Sequence, residues 1–170
     1  KVGDGRDPET NVGPLFDAKR VQASIRLIKD LEAKGGKVLY GGGPPEGEAY
    51  NRGNFFLPTV VTAIRDDMKI MQEEPFAPIL PIIGYETIDD AIAMANDTPY
   101  GLAAYAVTRD LRYTVKLAEE LEAGIIGIND CAPSAAQCPF GGMKQSGVGR
   151  EGWSQGLEAY YETKYISIGI

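Results

Sequence analysis

The residues able to do chemistry are few and cluster late in the chain. Cys131 and Cys138 lie seven apart in a stretch rich in Pro, Gly and small polar residues. A thiol becomes a nucleophile when a neighbour lowers its pKa, and the usual neighbour is histidine, of which this sequence has none. The plain reading of each cysteine is therefore a small buried or half-buried hydrophobe, and neither has metal-ligand spacing. Without imidazole, zinc sites and Ser-His-Asp catalysis within these residues are excluded. Gly147-Val148-Gly149-Arg150-Glu151-Gly152 spells G-x-G-x-x-G. Such glycines approach a dinucleotide pyrophosphate only between a hydrophobic strand and a helix, and Gly142 to Ser146 does not read as a strand, so a structural glycine turn is expected. Glu73-Glu74-Pro75-Phe76 leaves two readings open. It is either a solvated charge step at a strand entrance, or a carboxylate for the vicinal hydroxyls of a ribose beside an aromatic face for an attached ring.

The elements that would hold these residues follow from periodicity. Val21, Ile25, Ile28 and Leu31 set one face of a helix over Asp17 to Lys34, ended by Gly35-Gly36. Lys37 to Tyr40 reads as a strand, as do the β-branched and aromatic runs Asn54 to Ile64 and Pro78 to Tyr85. Thr87-x-x-Asp90 is a capping box, predicting a helix with Ile88, Ala91, Ile92 and Ala95 inward. Leu102 to Thr108 is a further strand. Asp110 caps a helix with Leu111, Val115, Ala118 and Leu121 on one side, closed by Gly124. Ile125 to Ile128 is a buried strand, and Asp130 to Gly149 a loop too long to be an idle connection. A short helix around Trp153, Leu157 and Tyr160 and a last strand, Tyr165 to Ile170, complete the chain. This alternation predicts an α/β fold with helices flanking a mainly parallel twisted sheet.

Length and composition fit one soluble globular domain: 170 residues, 44% hydrophobic and 24% charged. A formal charge of −7 argues against broad contact with nucleic acid or anionic lipid. No apolar run approaches the roughly 18 residues of a membrane helix, and no secretory h-region opens the chain. Two cysteines make no disulfide framework, so a cytoplasmic location is expected. The missing initial Met points to a trimmed or internal piece.

Taken in order, V-G-D-G-R-D-P-E-T-N-V-G-P-L at Val2 to Leu15, Q-E-E-P-F-A-P at Gln72 to Pro78, T-P-Y-G-L-A-A from Thr98, P-F-G-G-M-K-Q-S-G-V-G-R-E-G at Pro139 to Gly152 and E-T-K-Y-I near the end resemble the C-terminal part of the NAD(P)-dependent aldehyde dehydrogenase superfamily. Asn129 to Gly142 and the ending Y-I-S-I-G are most similar to succinate-semialdehyde dehydrogenases. The resemblance implies a partial catalytic domain over 1–148, followed over 149–170 by a C-terminal helix and an oligomerisation strand that makes a homo-oligomer. It implies NAD or NADP as cofactor and a small-molecule aldehyde as substrate. Glu74 matches the glutamate that binds the nicotinamide ribose, and Phe76 the aromatic beside the nicotinamide ring. Pro75 and Ala77 stand where Ile or Thr and Gly are commoner. Ser134 matches the position that hydrogen-bonds the far carboxylate of a semialdehyde. Phe140 matches an aromatic of the aldehyde tunnel, with a packing residue as its other reading. Glu151 matches a glutamate of a proton relay, with an ion pair to a buried lysine as its other reading. The family nucleophile lies in an upstream G-Q-x-C segment, which neither Cys131 nor Cys138 matches, so these residues alone are expected to be inactive. A non-catalytic α/β binding or scaffold module and a broad-specificity aldehyde dehydrogenase are the alternatives.

Overall fold

The computed structural model describes residues 1–170, which divide into two units, Lys1–Gly84 and Tyr85–Ile170. In the first, α1 spans Ala18–Ala33. The Asp17 carboxylate accepts the Arg20 N–H at 2.8 Å, which caps the N-terminus, and Gly35 at φ +89° turns the chain away after the last turn. Its buried face is Val21, Ser24, Leu27, Ile28 and Leu31, so Leu27 and Ser24 take the inner place expected for Ile25, which is half-buried. Ser24 is tolerated there because its hydroxyl donates to the Arg20 carbonyl at 2.9 Å.

Strands β1 (Lys37–Tyr40), β2 (Thr59–Thr62) and β3 (Ile79–Pro81) form one sheet in that order. The β1–β2 pair is antiparallel with an irregularity between Val38 and Tyr40, and the β2–β3 pair is parallel, Thr59 facing Ile79. The longer strands expected over 54–64 and 78–85 shrink because Pro58, Pro78 and Pro81 have no N–H to donate to a ladder. Phe55 and Phe56 lie outside any strand yet are buried. Phe56 joins Val21, Ile28, Leu31, Val61, Met68, Ile70 and Ile79 in the core of this unit.

In the second unit, Thr87 and Asp90 form the capping box of α2 (Ile88–Asn96). The Thr87 N–H donates to the Asp90 carboxylate at 2.9 Å, and the Asp90 N–H to the Thr87 hydroxyl at 3.2 Å. Of the inward set expected on α2, only Ile92 is fully buried. Two small sheets follow. Strand β4 (Tyr100–Gly101) pairs antiparallel with β7 (Met143–Lys144), and β5 (Ala103–Ala106) pairs parallel with β6 (Ile125–Ile128). The single mainly parallel sheet expected is thus three small sheets of mixed sense, and the α/β class stands.

Helix α3 (Leu111–Glu120) is capped by Asp110, whose carboxylate accepts the Arg112 N–H at 2.8 Å. It buries Leu117, and Leu121 just past its end, against Ile92 and the β5–β6 pair. The expected face is corrected here: Leu111 is 75% exposed, and Val115 and Ala118 are exposed as well. The helix has apolar residues on two sides, and a two-stranded sheet covers only one. Gly124 does not close α3, which ends four residues earlier. It lies instead where a side chain would collide with the backbone of Gly141 and Gly142. The short α4 spans Gln155–Glu158. The strand expected at Tyr165 to Ile170 does not form, because a strand exists only by pairing and no backbone hydrogen bond from these residues finds a partner in the chain. No helix is long and apolar enough to cross a membrane.

Candidate functional site

The candidate residues fall into two groups, one in each unit. In the first unit, the turn Lys69–Met71 leads into the segment 72–77. That entrance is fixed: the Asp30 carboxylate on α1 accepts the Lys69 N–H at 2.8 Å and meets Lys34 at 3.0 Å. The Lys69 N–H and, behind it, Lys34 hold the Asp30 carboxyl below the usual carboxylate range. Glu73 pairs with Arg26 at 2.6 Å, whereas Glu74 is exposed and makes neither ion pair nor side-chain hydrogen bond. Phe76 adopts φ +40°, a left-handed conformation unusual for a bulky side chain, and leaves its ring 72% exposed. The Arg20 guanidinium lies over that ring, 5.7 Å from its centroid, and Arg20 Nη1 reaches the Pro75 carbonyl at 3.5 Å. The chain is anchored again at Pro78, whose carbonyl accepts the Thr59 N–H at 2.8 Å.

Chemically, this loop holds out an un-neutralised carboxylate two residues from a bare aromatic face. A carboxylate accepts two vicinal hydroxyls, and a ring offers an apolar flat to a heteroaromatic ring. Both fit a nucleoside such as the nicotinamide riboside of NAD or NADP. Strain in a side chain's own backbone persists only where the surroundings over-determine it, which is common at ligand-contacting loops.

In the second unit the loop after β6 starts at Asn129, also left-handed at φ +56°. Its amide accepts the Thr108 N–H at 3.0 Å and donates to the Thr108 carbonyl at 2.8 Å, adding a side-chain rung to the β5–β6 ladder. Asp130 then accepts the Ala132 N–H at 2.9 Å. Beyond lies Ser134, exposed and with a hydroxyl free of partners within the chain. Phe140 and Glu151 form an antiparallel bridge, exchanging two backbone hydrogen bonds of 2.7 Å each. Leu102, Phe140, Arg150, Glu151 and Glu158 line an open cleft of about 640 Å³, to which Ser134 does not contribute. Arg150 fastens the hairpin by donating to the Gly142 and Gly149 carbonyls at 2.9 and 2.7 Å.

The structure therefore unites Phe140 with Glu151, and Glu74 with Phe76, and leaves Ser134 apart on its own loop. Glu151 makes no ion pair with a lysine among these 170 residues. Cys131 and Cys138 are free and exposed, correcting the buried-hydrophobe reading: both sit on the loop surface with no element packed over them. Gly147, Gly149 and Gly152 all take positive φ in turns. No group of three or more His, Cys, Asp or Glu side chains converges as a metal site. Sequence reasoning missed Arg20, Arg26 and Asn129. The arginines read as polar residues of a helix, and nothing local signals contact with a segment about fifty residues away.

The profile of the aldehyde dehydrogenase family matches residues 1–166. The chain is 44% identical over 170 residues to the NADP(+) succinate-semialdehyde dehydrogenase GabD of Escherichia coli strain K12, covering 99% of this chain and 34% of that protein. A solved structure described as an E. coli NADP-dependent enzyme superposes with a TM-score of 0.93 at 43% identity, covering 99% of this chain and 34% of the other. Betaine aldehyde dehydrogenase from Staphylococcus aureus, in complex with NAD+, superposes at 0.89 with 39% identity, covering 94% and 32%. The chain thus spans about a third of the length of the relatives it matches.

Proposed function

Because this chain belongs to the aldehyde dehydrogenase family, we propose that it forms the C-terminal portion of an enzyme that oxidises a carboxylated aldehyde, of the succinic semialdehyde type, to the acid with NAD or NADP. One observation carries the reading: a chain similar throughout to semialdehyde dehydrogenases holds out, on the loop 72–77, an unpaired carboxylate and a largely exposed ring with Arg20 over one face. Large apolar side chains that stand in solvent, Phe16, Val107 and Leu111 among them, are surface for the rest of such an enzyme to cover.

In this reading a cysteine outside these residues adds as thiolate to the aldehyde carbonyl, and the tetrahedral carbon then loses hydride, leaving a thioester that water cleaves to the acid. The dinucleotide, when bound, supplies the hydride acceptor. Glu74 takes the ribose hydroxyls and Phe76 faces the nicotinamide. Ser134 donates to the substrate's far carboxylate, Phe140 lines the aldehyde tunnel, and Glu151, held against Phe140, passes protons. Cys131 and Cys138 fall outside the nucleophile motif and take no part in bond-making. Residues 1–148 belong to the catalytic domain. Residues 149–170 supply the C-terminal helix and the segment Tyr165 to Ile170, whose unpaired backbone groups become a strand only on joining a neighbouring subunit's sheet in a cytoplasmic homo-oligomer.

The test is absorbance at the reduced-nicotinamide band with succinic semialdehyde and NAD or NADP. The full-length enzyme produces the signal and the 170-residue polypeptide alone does not; a genuine gain from the polypeptide alone overturns the reading. The likeness to betaine aldehyde dehydrogenase favours one second reading, an enzyme without preference for a carboxylated substrate. Equal kcat/KM for succinic semialdehyde and a plain alkyl aldehyde would support it.

A further inference from the structure

We infer that Arg20 and Arg26 on α1 are positioning residues that clamp the loop 72–77 in the conformation presenting Glu74 and Phe76. The inference rests on the reading of that loop as the wall that meets the nicotinamide riboside.

Both guanidinium groups project from a fixed base. Helix α1 is capped by Asp17 and packs through Val21, Ser24, Ile28 and Leu31, and the Arg20 backbone is itself held, its N–H by Asp17 and its carbonyl by the Ser24 hydroxyl. The loop is anchored before Glu73 by the Lys69–Asp30 bond and after Ala77 by the Pro78–Thr59 bond. Between these anchors Ile70 and Ala77 pack against the core, and the charged side chains that reach residues 73–76 from elsewhere are the two arginines. Arg26 meets Glu73 at 2.6 Å, and Arg20 covers the Phe76 ring at 5.7 Å with its Nη1 near the Pro75 carbonyl.

Each contact settles a choice that the loop alone leaves open. Glu73 and Glu74 are adjacent like charges, and either could turn outward. By neutralising Glu73, Arg26 assigns it to the scaffold and leaves Glu74 free. Phe76 would relax toward negative φ in an unsupported loop, since left-handed backbone is unfavourable for a residue with a bulky side chain. The cation over its ring holds the left-handed form and thereby the direction in which the free face of the ring points. The Arg26–Glu73 pair is about half exposed, so each contact is weak in isolation and its loss is read as a modest fold-change in cofactor affinity.

The test uses the full-length enzyme, with the dissociation constants of NAD+ and NADP+ measured by fluorescence titration, KM for the aldehyde and the melting temperature. Arg26→Glu and Arg20→Met each weaken cofactor binding about fivefold while aldehyde KM and melting temperature hold. The charge swap Arg26→Glu with Glu73→Arg restores binding, and Arg20→Lys, which keeps a cation over the ring, falls between wild type and Arg20→Met. Unchanged cofactor affinity in Arg26→Glu and Arg20→Met overturns the inference, as does a swap no better than Arg26→Glu, or a loss that only follows a falling melting temperature. Glu74→Gln separates the two levels. If it leaves cofactor affinity intact, the reading of the loop fails and the clamp falls with it. If it weakens binding while the arginine variants do not, the clamp alone fails.

Discussion

Gly124→Ala in the full-length enzyme tests how the framework of the second unit holds its candidate site. A Cβ at Gly124 would stand 2.9 Å from the Gly141 carbonyl carbon and 3.2 Å from Gly142 Cα, with the Gly141 oxygen closer still. A Cβ keeps at least about 3 Å from a carbonyl oxygen, so the start of β6 and the Gly141-Gly142 backbone must part by more than about 1 Å. Every atom in the way is backbone, so no side chain can swing aside. Overpacking of this kind costs about 1–3 kcal/mol. Gly141 follows Phe140, whose two 2.7 Å bonds tie it to Glu151, so the displacement passes directly into the cleft. A misplacement of about 1 Å lowers turnover by about 10²-fold. The assays are the urea midpoint and kcat/KM for succinic semialdehyde, with Gly84→Ala as control because no atom lies within 4 Å of its added Cβ. A Gly124→Ala enzyme with the wild-type midpoint and wild-type kcat/KM refutes the coupling of β6 to the site.

Ser134→Phe removes a hydroxyl proposed to meet the substrate carboxylate. It lowers kcat/KM for succinic semialdehyde about tenfold or more and spares a plain alkyl aldehyde; an equal effect on both substrates counts against Ser134 as the specificity residue. Asp110, hydrogen-bonded first by the Arg112 side chain and then by its N–H, has its carboxyl held down to about 2 from an ordinary 3.8. A depressed folded-state pKa adds stability that is present above the unfolded value and disappears as pH falls through the folded one. The melting-temperature gap between wild type and Asp110→Ala therefore persists above pH 3.8 and narrows toward pH 2, and a gap constant through that window contradicts the assignment.

What was legible in the sequence was mostly local. The N-caps Thr87 and Asp110 and the strands Lys37–Tyr40 and Ile125–Ile128 depend on neighbours within a few residues, and they formed where the residue types placed them. Facing was harder to read. Leu111 and Val115 have the spacing of a buried stripe, yet which side of α3 is covered depends on how much sheet lies under it. The strand expected at Tyr165 to Ile170 depends wholly on a partner. The candidate site divides along the same line. The residue types of Glu74, Phe76, Ser134, Phe140 and Glu151 were visible as motifs. The left-handed turn at Phe76, its arginine cover and the Asn129 rung on Thr108 are long-range contacts that no spacing encodes.

The central claim is that these residues line a site whose working sulfur belongs to another part of the enzyme. Quenching the full-length enzyme in acid during turnover of succinic semialdehyde, then locating the succinyl thioester by peptide mass spectrometry, tests it most directly. The account predicts the acyl group on a cysteine outside the 170 residues; finding it on Cys131 or Cys138 would contradict the account.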